Sequence, residues 1–287
     1  MERIKNVFLL AAFFIAICGN AQVFTPGDFN DGVYTKENSE YRKPIPYTSL
    51  REGDVQWSKR VWRRVDMREK INQPLYYPIE PTVNRTSLVQ LLLKYVFTED
   101  PGSKIIAFED DEFRKPLDVE KFKGRMVIKE DSTDQDLVDS LGNTYTVKVA
   151  GMVDSTWIYE NFASIDIKED WFFDKQKSVM ERRIIGIGIN ATLKGKEEFG
   201  AQNQFWVYFP QCRPIFASTE VFNTKNDAER RTFDDIFWKQ QYSSNIIRET
   251  NVYDREIESY AKGIDALLEN EKVKNDIFKY EHDMWHF

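Results

Sequence analysis

The stretch Asp54–Pro81 reads DVQWSKRVWRRVDMREKINQPLYYPIEP and combines apolar and basic residues in a regular pattern. At about 100° per residue, a helix would gather five apolar side chains within one arc: Val55, Trp57, Val61, Trp62 and Val65. The opposite arc would carry the basic residues Lys59, Arg60, Arg63, Arg64 and Lys70. Asp54 suits the N-cap, and Pro74 disfavours helix in the residue before it. The pattern predicts an amphipathic helix that ends near Asn72.

The basic arc of this helix is the candidate functional site of the chain. Its four central members are Lys59, Arg60, Arg63 and Arg64. Such a charge run is compatible with a solvated helix face, with an interface to an acidic partner, and with contact to anionic lipid or cell wall. We select these four residues as a candidate partner interface.

Composition restricts the class of protein. The chain has 287 residues and a formal net charge of −7. That length suits one large domain or two small ones with a real core. The aromatic residues, 21 Phe, 13 Tyr and 7 Trp, indicate a folded chain rather than a disordered one. The acidic balance argues against nucleic acid as a partner of the whole surface.

The first 21 residues have the pattern of a secretory signal peptide. Arg3 and Lys5 precede the apolar run Val7–Ile17, which is too short to span a bilayer stably. The small residues around Asn20 predict cleavage after Ala21. A lipoprotein signal at Cys18 is the alternative, but Ile17 stands where such a signal has a small residue. Export from the cytoplasm follows from this interpretation.

One cysteine, Cys212, remains after cleavage at Ala21. A single cysteine forms no internal disulfide, so stability must come from packing. Cys212 stands beside Pro214 in FPQCRP and is interpreted as a partly buried structural residue. A reactive thiol, or one that pairs between chains, is the alternative.

The mature chain is predicted to have an extended arm, 22–50, followed by a single α+β domain, 51–287. The arm is rich in Pro and Gly, which break regular structure, and its many aromatic rings favour contact with a surface, either its own core or a neighbouring copy. In the domain, Thr86-Ser87 precedes Leu88–Phe97, which is short, apolar and predicted to be a buried helix.

The middle of the chain is β-rich. The predicted strands are 104–109, 126–129, 144–149, 158–167, 180–193 and 205–209, and a helical turn is predicted at 118–123. No long helices separate the later strands, which indicates a mixed or antiparallel central sheet, with helices at the N-terminal and C-terminal ends. Gly186 and Gly188 lack the third glycine of a phosphate loop and are expected to let something large lie against the sheet.

Two further segments have an expected structure. Glu130–Gly142 lacks the ligand spacing of a calcium loop and is interpreted as a solvated loop. Helices are predicted for 227–241 and for the segment from about 254 to 287, with a short strand at 243–249 between them. The last segment has an apolar stripe made of Ile257, Tyr260, Ala261, Ile264, Leu267 and Leu268. The stripe changes phase after Leu268, which predicts a kink between Asn270 and Asn275.

The strongest candidate for an enzymatic site is at the C-terminus, where His282 and His286 are four residues apart and would share one face of a helix. The pattern differs from the zinc motif HExxH because Asp283 replaces Glu and no third ligand follows. Paired carboxylates for glycan cleavage are not marked by any pattern. We therefore expect no catalytic, cofactor-binding or metal-ligating residues, and no enzyme. A periplasmic protein that binds or processes peptidoglycan is the alternative function.

Several stretches of the chain resemble the gliding motility protein GldN (PorN) family of the Bacteroidota. They are WSKRVWRRVDMREKINQPLYYP, IKEDWFFDKQKSVMERRIIGI, QFWVYFPQCRP and NVYDREIESYAKGIDALLE. The resemblance implies a non-enzymatic structural subunit of the type IX secretion and gliding machinery. It further implies a location at the periplasmic face of the outer membrane and a ring-like assembly with homo-oligomeric contacts. The implied partners are an outer-membrane lipoprotein of the GldK/PorK type and the periplasmic region of a GldM/PorM-type motor protein.

Overall fold

The computed structural model describes residues 41–284 apart from 81–84, 127, 130–132, 139–143, 150–152, 155–156, 193–197, 199, 224 and 227. The described residues belong to one compact unit. The signal segment, the first part of the arm and His286 lie outside them. The domain boundaries therefore stay predictions.

The strands are β1 (Val55–Asp66), β2 (Ala107–Phe108), β3 (Ile128–Lys129), β4 (Thr133–Val138), β5 (Thr144–Val149), β6 (Val153–Asp154), β7 (Phe162–Asp174), β8 (Val179–Ala191), β9 (Gln202–Tyr208) and β10 (Asn245–Glu249). The helices are α1 (Gln73–Tyr76), α2 (Leu88–Phe97), α3 (Val119–Met126), α4 (Trp157–Glu160), α5 (Phe209–Ser218), α6 (Phe233–Trp238) and α7 (Ile264–Asp283). Short 3₁₀ turns are formed by Glu52–Asp54 and Ile257–Ser259.

The main sheet has six strands in the order β10-β1-β7-β8-β9-β2, and every neighbouring pair is antiparallel. Two small sheets, β3-β6 and β4-β5, are formed by the chain between α3 and β7. The predicted α+β class with an antiparallel central sheet is confirmed. The observed β5 has the predicted bounds, whereas β7 begins and ends later than the sequence indicated.

The predicted helix after Asp54 is wrong, because Val55–Asp66 is strand β1. Four of the five apolar residues that suggested the helix have odd numbers, so a period of two explains them as well as a period of 3.6. Val and Trp also favour strands. Pairing with β7 along its whole length and with β10 at Val61–Arg64 satisfies the backbone of β1 in the sheet. No N-terminal helix precedes the sheet within the described residues.

One side of the sheet, here named the helix side, carries the main core. Alternate residues such as Val65, Ile167 and Ile187 point to this side, where side chains of α2, α5 and α6 cover them. Helix α2 begins at the predicted place. The Ser87 side chain accepts a hydrogen bond from the Gln90 N–H, and the Gln90 side chain accepts one from the Ser87 N–H. This reciprocal capping fixes the start of a nearly all-apolar helix against the sheet.

A second, smaller core lies under α7 on the same side of the sheet. It consists of Val61, Ile246, Ile257, Val273 and Ile277. Helix α7 runs without a break from Ile264 to Asp283, so the predicted kink between Asn270 and Asn275 is wrong. Asn270 lies inside the helix and accepts a hydrogen bond from the N–H of Ile246, which ties α7 to the edge strand β10.

The opposite, outer side of the sheet is polar along β7 and is packed locally at two glycines of β8. A Cβ on Gly186 would lie 2.4 Å from the Phe113 ring, and one on Gly188 would lie 2.8 Å from the Trp206 ring. The expectation that the glycines admit bulky neighbours is confirmed. Only a residue without a side chain leaves room for these rings.

Two further predictions need correction. The segment Glu130–Gly142 contains β4, which pairs with β5, and is therefore not a simple loop. The helix predicted for 227–241 is only the six residues of α6, which begins after Thr232. The Thr232 side chain caps the helix by accepting a hydrogen bond from the Asp235 N–H, so the residues before it are excluded from the helix.

Candidate partner interface

The four basic residues of the candidate interface lie on strand β1, whose side chains alternate between the two sides of the sheet. Lys59 and Arg63 point to the helix side, and Arg60 and Arg64 point to the outer side. The helix that would have joined them in one surface is absent. The structure brings them together only in two pairs, back to back across the sheet.

On the outer side, each arginine is bound by a carboxylate of the neighbouring strand β7. Arg60 donates two hydrogen bonds to Asp170, at 2.6 and 2.8 Å. Arg64 donates two to Asp166, at 2.8 and 3.1 Å. These side-chain hydrogen bonds raise the pKa of both arginines. Bidentate pairs of this kind hold each guanidinium in a fixed plane and stabilise the register of β1 against β7.

On the helix side, Arg63 contacts a carboxylate that is completely buried. The Arg63 Nε lies 2.5 Å from Glu169 Oε1, and Glu169 is 0% exposed. Arg182 of β8 lies 2.9 Å from the other oxygen of Glu169, and the Trp171 indole donates to Glu169 at 2.8 Å. Lys59, nearer the edge, is ion-paired with Glu249 of β10 at 2.6 Å.

The buried cluster around Glu169 continues into α6 and the segment after it. Arg182 donates to the Tyr242 hydroxyl at 2.8 Å and to the Phe237 carbonyl at 2.8 Å. Burial opposes the charge of Arg182, but Tyr242 and Glu169 outweigh it and raise the arginine pKa. Burial raises the pKa of Tyr242. One carboxylate therefore joins three strands and α6, an arrangement that serves the fold.

A second polar cluster lies on the outer side around Lys168, which sequence reasoning did not single out. The Lys168 ammonium lies 5.5 Å from the centre of the Trp62 ring and donates to the Asp111 carbonyl at 2.6 Å. The Trp62 indole donates to the Asp111 carboxylate at 3.0 Å. Burial lowers the pKa of Lys168, although Asp111 acts in the opposite direction. The turn that carries Asp111 thus packs on β1 and β7.

Four exposed apolar side chains of α7 lie on the face of the helix opposite Val273 and Ile277. We name it the outer face of α7; its members are Ile264, Leu267, Leu268 and Phe278, exposed by 75, 55, 63 and 64%. The sequence predicts one apolar stripe that joins the first three to Ile257, Tyr260 and Ala261. The change of phase after Leu268 was visible but was assigned to a kink, whereas it marks apolar residues on two opposite faces of one straight helix. Exposed apolar surface on a helix is typical of a docking site.

The remaining candidate groups lie apart from these clusters. His282 is exposed near the end of α7, and His286, which stands four residues later, lies outside the described residues. Among the residues with a described position, no group of three His, Cys, Asp or Glu side chains could hold a metal ion. Cys212 is buried, and burial raises the pKa of its thiol far above the ordinary value, which disfavours the reactive thiolate. No helix in the described part of the chain has the length and apolar composition needed to cross a membrane.

Comparison with known families supports the resemblance of the sequence. The family model described as "Gliding motility associated protein GldN" matches residues 50–286. The chain belongs to the GldN family. Membership of GldN implies a component of the gliding motility and type IX secretion machinery. GldN is a structural family with no known enzymatic activity. A search of curated proteins found no match to the chain.

Within this GldN-family domain, the predicted interface at Lys59, Arg60, Arg63 and Arg64 stays a prediction. Every one of the four has a carboxylate partner inside the chain. Arg63 is the least exposed member, with 13% of its side chain exposed, and Arg60 is the most exposed, with 42%. The outer pair, Arg60 and Arg64, is the most accessible to a partner that binds these charges, with 42 and 35% of the side chain exposed.

Proposed function

We propose that this chain is a non-enzymatic, periplasmic structural subunit of the type IX secretion and gliding machinery. In this proposal it forms a ring-like assembly with an outer-membrane lipoprotein of the GldK/PorK type. It also contacts the periplasmic region of a GldM/PorM-type motor protein. The observation that carries the proposal is the family match, which extends over nearly the whole described domain, residues 50–286.

The signal pattern of the first 21 residues supports a periplasmic location. If it is correct, the mature protein begins at Gln22 and lies on the same side of the inner membrane as the proposed partners. Sequencing the N-terminus of the protein isolated from the cell envelope tests this point. A mature chain that retains Met1 would contradict the proposed location.

The outer face of α7 supports an assembling subunit. Its four exposed apolar side chains lie on the opposite side of α7 from Val273 and Ile277, which are buried against the sheet. A helix with apolar residues on both faces is expected between two layers of protein, because burying each apolar face lowers the free energy of the system. One layer is the sheet of this chain, and the proposal assigns the second layer to the assembly.

The test is a crosslinked pull-down of the full chain from the envelope, followed by mass spectrometry. We expect an outer-membrane lipoprotein in a near-constant ratio to the chain. Loss of the chain in cells that lack this lipoprotein would agree, since an unpartnered subunit with exposed apolar surface is prone to degradation. Recovery of peptidoglycan fragments without any lipoprotein would favour the wall-binding alternative.

The variant Leu268→Glu addresses the outer face of α7 directly. Removing one buried leucine from an interface costs about 1.5–3 kcal/mol, so we expect recovery of the complex to fall about tenfold or more. The matched control is Ile71→Glu, because Ile71 is a similarly exposed aliphatic residue, 56%, in the turn after β1. Equal recovery for the two variants would remove the outer face of α7 from the proposed interface.

A further inference from the structure

The outer face of α7 has apolar residues at its two ends and polar residues between them. One end, here named the aliphatic end, consists of Ile264, Leu267 and Leu268. The other end is Phe278, about 15 Å along the helix from Leu268. Glu271 and Asn275 lie between the ends at steps of three or four residues, so they belong to the same stripe of the helix surface. Both are exposed, as the apolar members are.

The order of residues along this stripe is symmetric about position 273. Leu268 and Phe278 lie five residues before and after that position. Glu271 and Asn275 lie two residues before and after it. If the α7 of a second copy lies antiparallel with its own position 273 at the same level, apolar residues therefore meet apolar ones and polar residues meet polar ones. A contact with two-fold symmetry needs a surface that is complementary to itself, and this stripe meets that condition.

The two apolar ends of the stripe differ in shape, and the antiparallel arrangement brings the different shapes together. Phe278 of each copy lies opposite Leu268 of the other copy, within the aliphatic end. Where two helices pack side by side, a side chain of one enters the space between residues of the other, so one ring fits among several aliphatic side chains. Two-fold symmetry forms this contact twice, at points about 15 Å apart. Each copy thus removes the apolar members of its outer face from water, which drives the pairing.

The polar middle of the stripe favours antiparallel over parallel helices. In a parallel pair, Glu271 would face Glu271 of the second copy, and like charges in contact destabilise a pair of helices. In an antiparallel pair it faces Asn275, whose amide is a hydrogen-bond donor for a carboxylate. Lys274, which is ion-paired with Glu271 at 3.5 Å within one helix, lies one residue from the midpoint and therefore near the carboxylates of both copies. Two negative and two positive charges then share the centre of the contact.

We propose that the outer face of α7 binds the same face of a second copy of this chain, with the two helices antiparallel. This pairing rests on the proposed function, which assigns the outer face of α7 to the assembly, and it names the occupant of that face. A two-fold contact closes after two copies, so the pair is a building block, and a ring grows from it through other surfaces. A partner of another kind would require no symmetry of the stripe about position 273.

The test uses two variants of the full chain, Leu268→Cys and Phe278→Cys, which carry different affinity tags and are produced together in their own bacterium. In the antiparallel pair, position 268 of one copy lies opposite position 278 of the other, and a disulfide forms where the Cβ atoms are about 3.5–4.5 Å apart. The two copies of position 268 are about 15 Å apart along the helices. We expect mild oxidation to join unlike tags about ten times or more as often as like tags.

Two controls define the background of this experiment. The wild-type chain measures disulfides through Cys212, which is buried. The variant Ile71→Cys places an equally accessible thiol away from α7, since Ile71 is 56% exposed, and measures random collisions. Joining of like tags as often as unlike ones would indicate parallel helices and overturn the arrangement. Joining only at the level of Ile71→Cys would overturn a second copy as the occupant.

Light scattering on the purified full chain gives an independent measurement, because it reports the mass of the particle without any crosslink. We expect two copies for the wild type and for Ile71→Glu, and a pairing affinity about tenfold or more weaker for Leu268→Glu. Equal affinities for the two variants would overturn the pairing. Recovery of the lipoprotein in the pull-down without paired copies would overturn this inference alone, whereas paired copies without any lipoprotein would overturn the proposed function alone.

Discussion

Glu169 and Asp170 are consecutive carboxylates of β7 that point to opposite sides of the sheet. Glu169 is fully buried and contacts two arginines, Arg63 and Arg182. Asp170 has a side chain 29% exposed and binds one, Arg60. The chemistry is the same, an arginine with a carboxylate, but the surroundings differ. Water stabilises a charge that has lost its partner at the surface, whereas a buried charge without its partner keeps the whole cost of desolvation.

Replacing Glu169 with Gln should have the largest effect. The substitution keeps the shape but leaves the buried charges of Arg63 and Arg182 without their counter-ion, so we expect a loss of about 3–5 kcal/mol in the free energy of unfolding. Urea unfolding followed by circular dichroism measures this loss.

The matched control is Asp170→Asn, the same chemical change one residue later. It breaks a pair that solvent partly screens, so the expected loss is about 1 kcal/mol or less. Equal losses for the two variants would mean that solvent exposure does not separate the two sides of the sheet, and the comparison would fail.

Gly186→Ala tests whether the Phe113 ring packs on the outer side of the sheet at β8. The added methyl group would meet the Phe113 ring at 2.4 Å, so the ring and the turn that carries it must move. Overpacking of this kind costs about 1–3 kcal/mol. The thermal midpoint of the variant measures it, with Gly53→Ala as control because a Cβ there has open space. An unchanged midpoint would show that Phe113 does not cover Gly186 in solution.

Lys168→Met has the smallest expected effect. It tests, through the pH dependence of stability, how far the outer side of the sheet is shielded from solvent. Burial lowers the Lys168 pKa in the folded state below the value of 10.5 expected in the unfolded chain. Between these two values the unfolded chain binds more protons, so the contribution of Lys168 to stability rises with pH. The difference in unfolding free energy between wild type and variant should therefore move in favour of the wild type from about pH 7 to about pH 10. A constant difference would place Lys168 in a solvated site.

Two helices were predicted from apolar patterns in the first part of the domain, and only one of them is present in the structure. Leu88–Phe97 was predicted correctly because a local signal, the Ser87 cap before an apolar run, decides its structure. The alternation of Val55, Trp57, Val61 and Val65 fits helix and strand equally. The partner strands that decide between the two lie about 100 residues or more away in the sequence. The separation of Arg60 from Arg63 across the sheet follows from that long-range choice.

The sequence by itself determined the β-rich middle, the glycines that admit bulky rings, the α+β class and the family. These depend on local propensity, on residue size or on long stretches of characteristic residues, all of which are written in consecutive positions. Only the tertiary structure decided that β1 is a strand, that α7 turns apolar residues both to the sheet and to solvent, and that Glu169 unites Arg63 with Arg182. Burial and ion pairing depend on which distant segments meet, and a one-dimensional pattern does not record that.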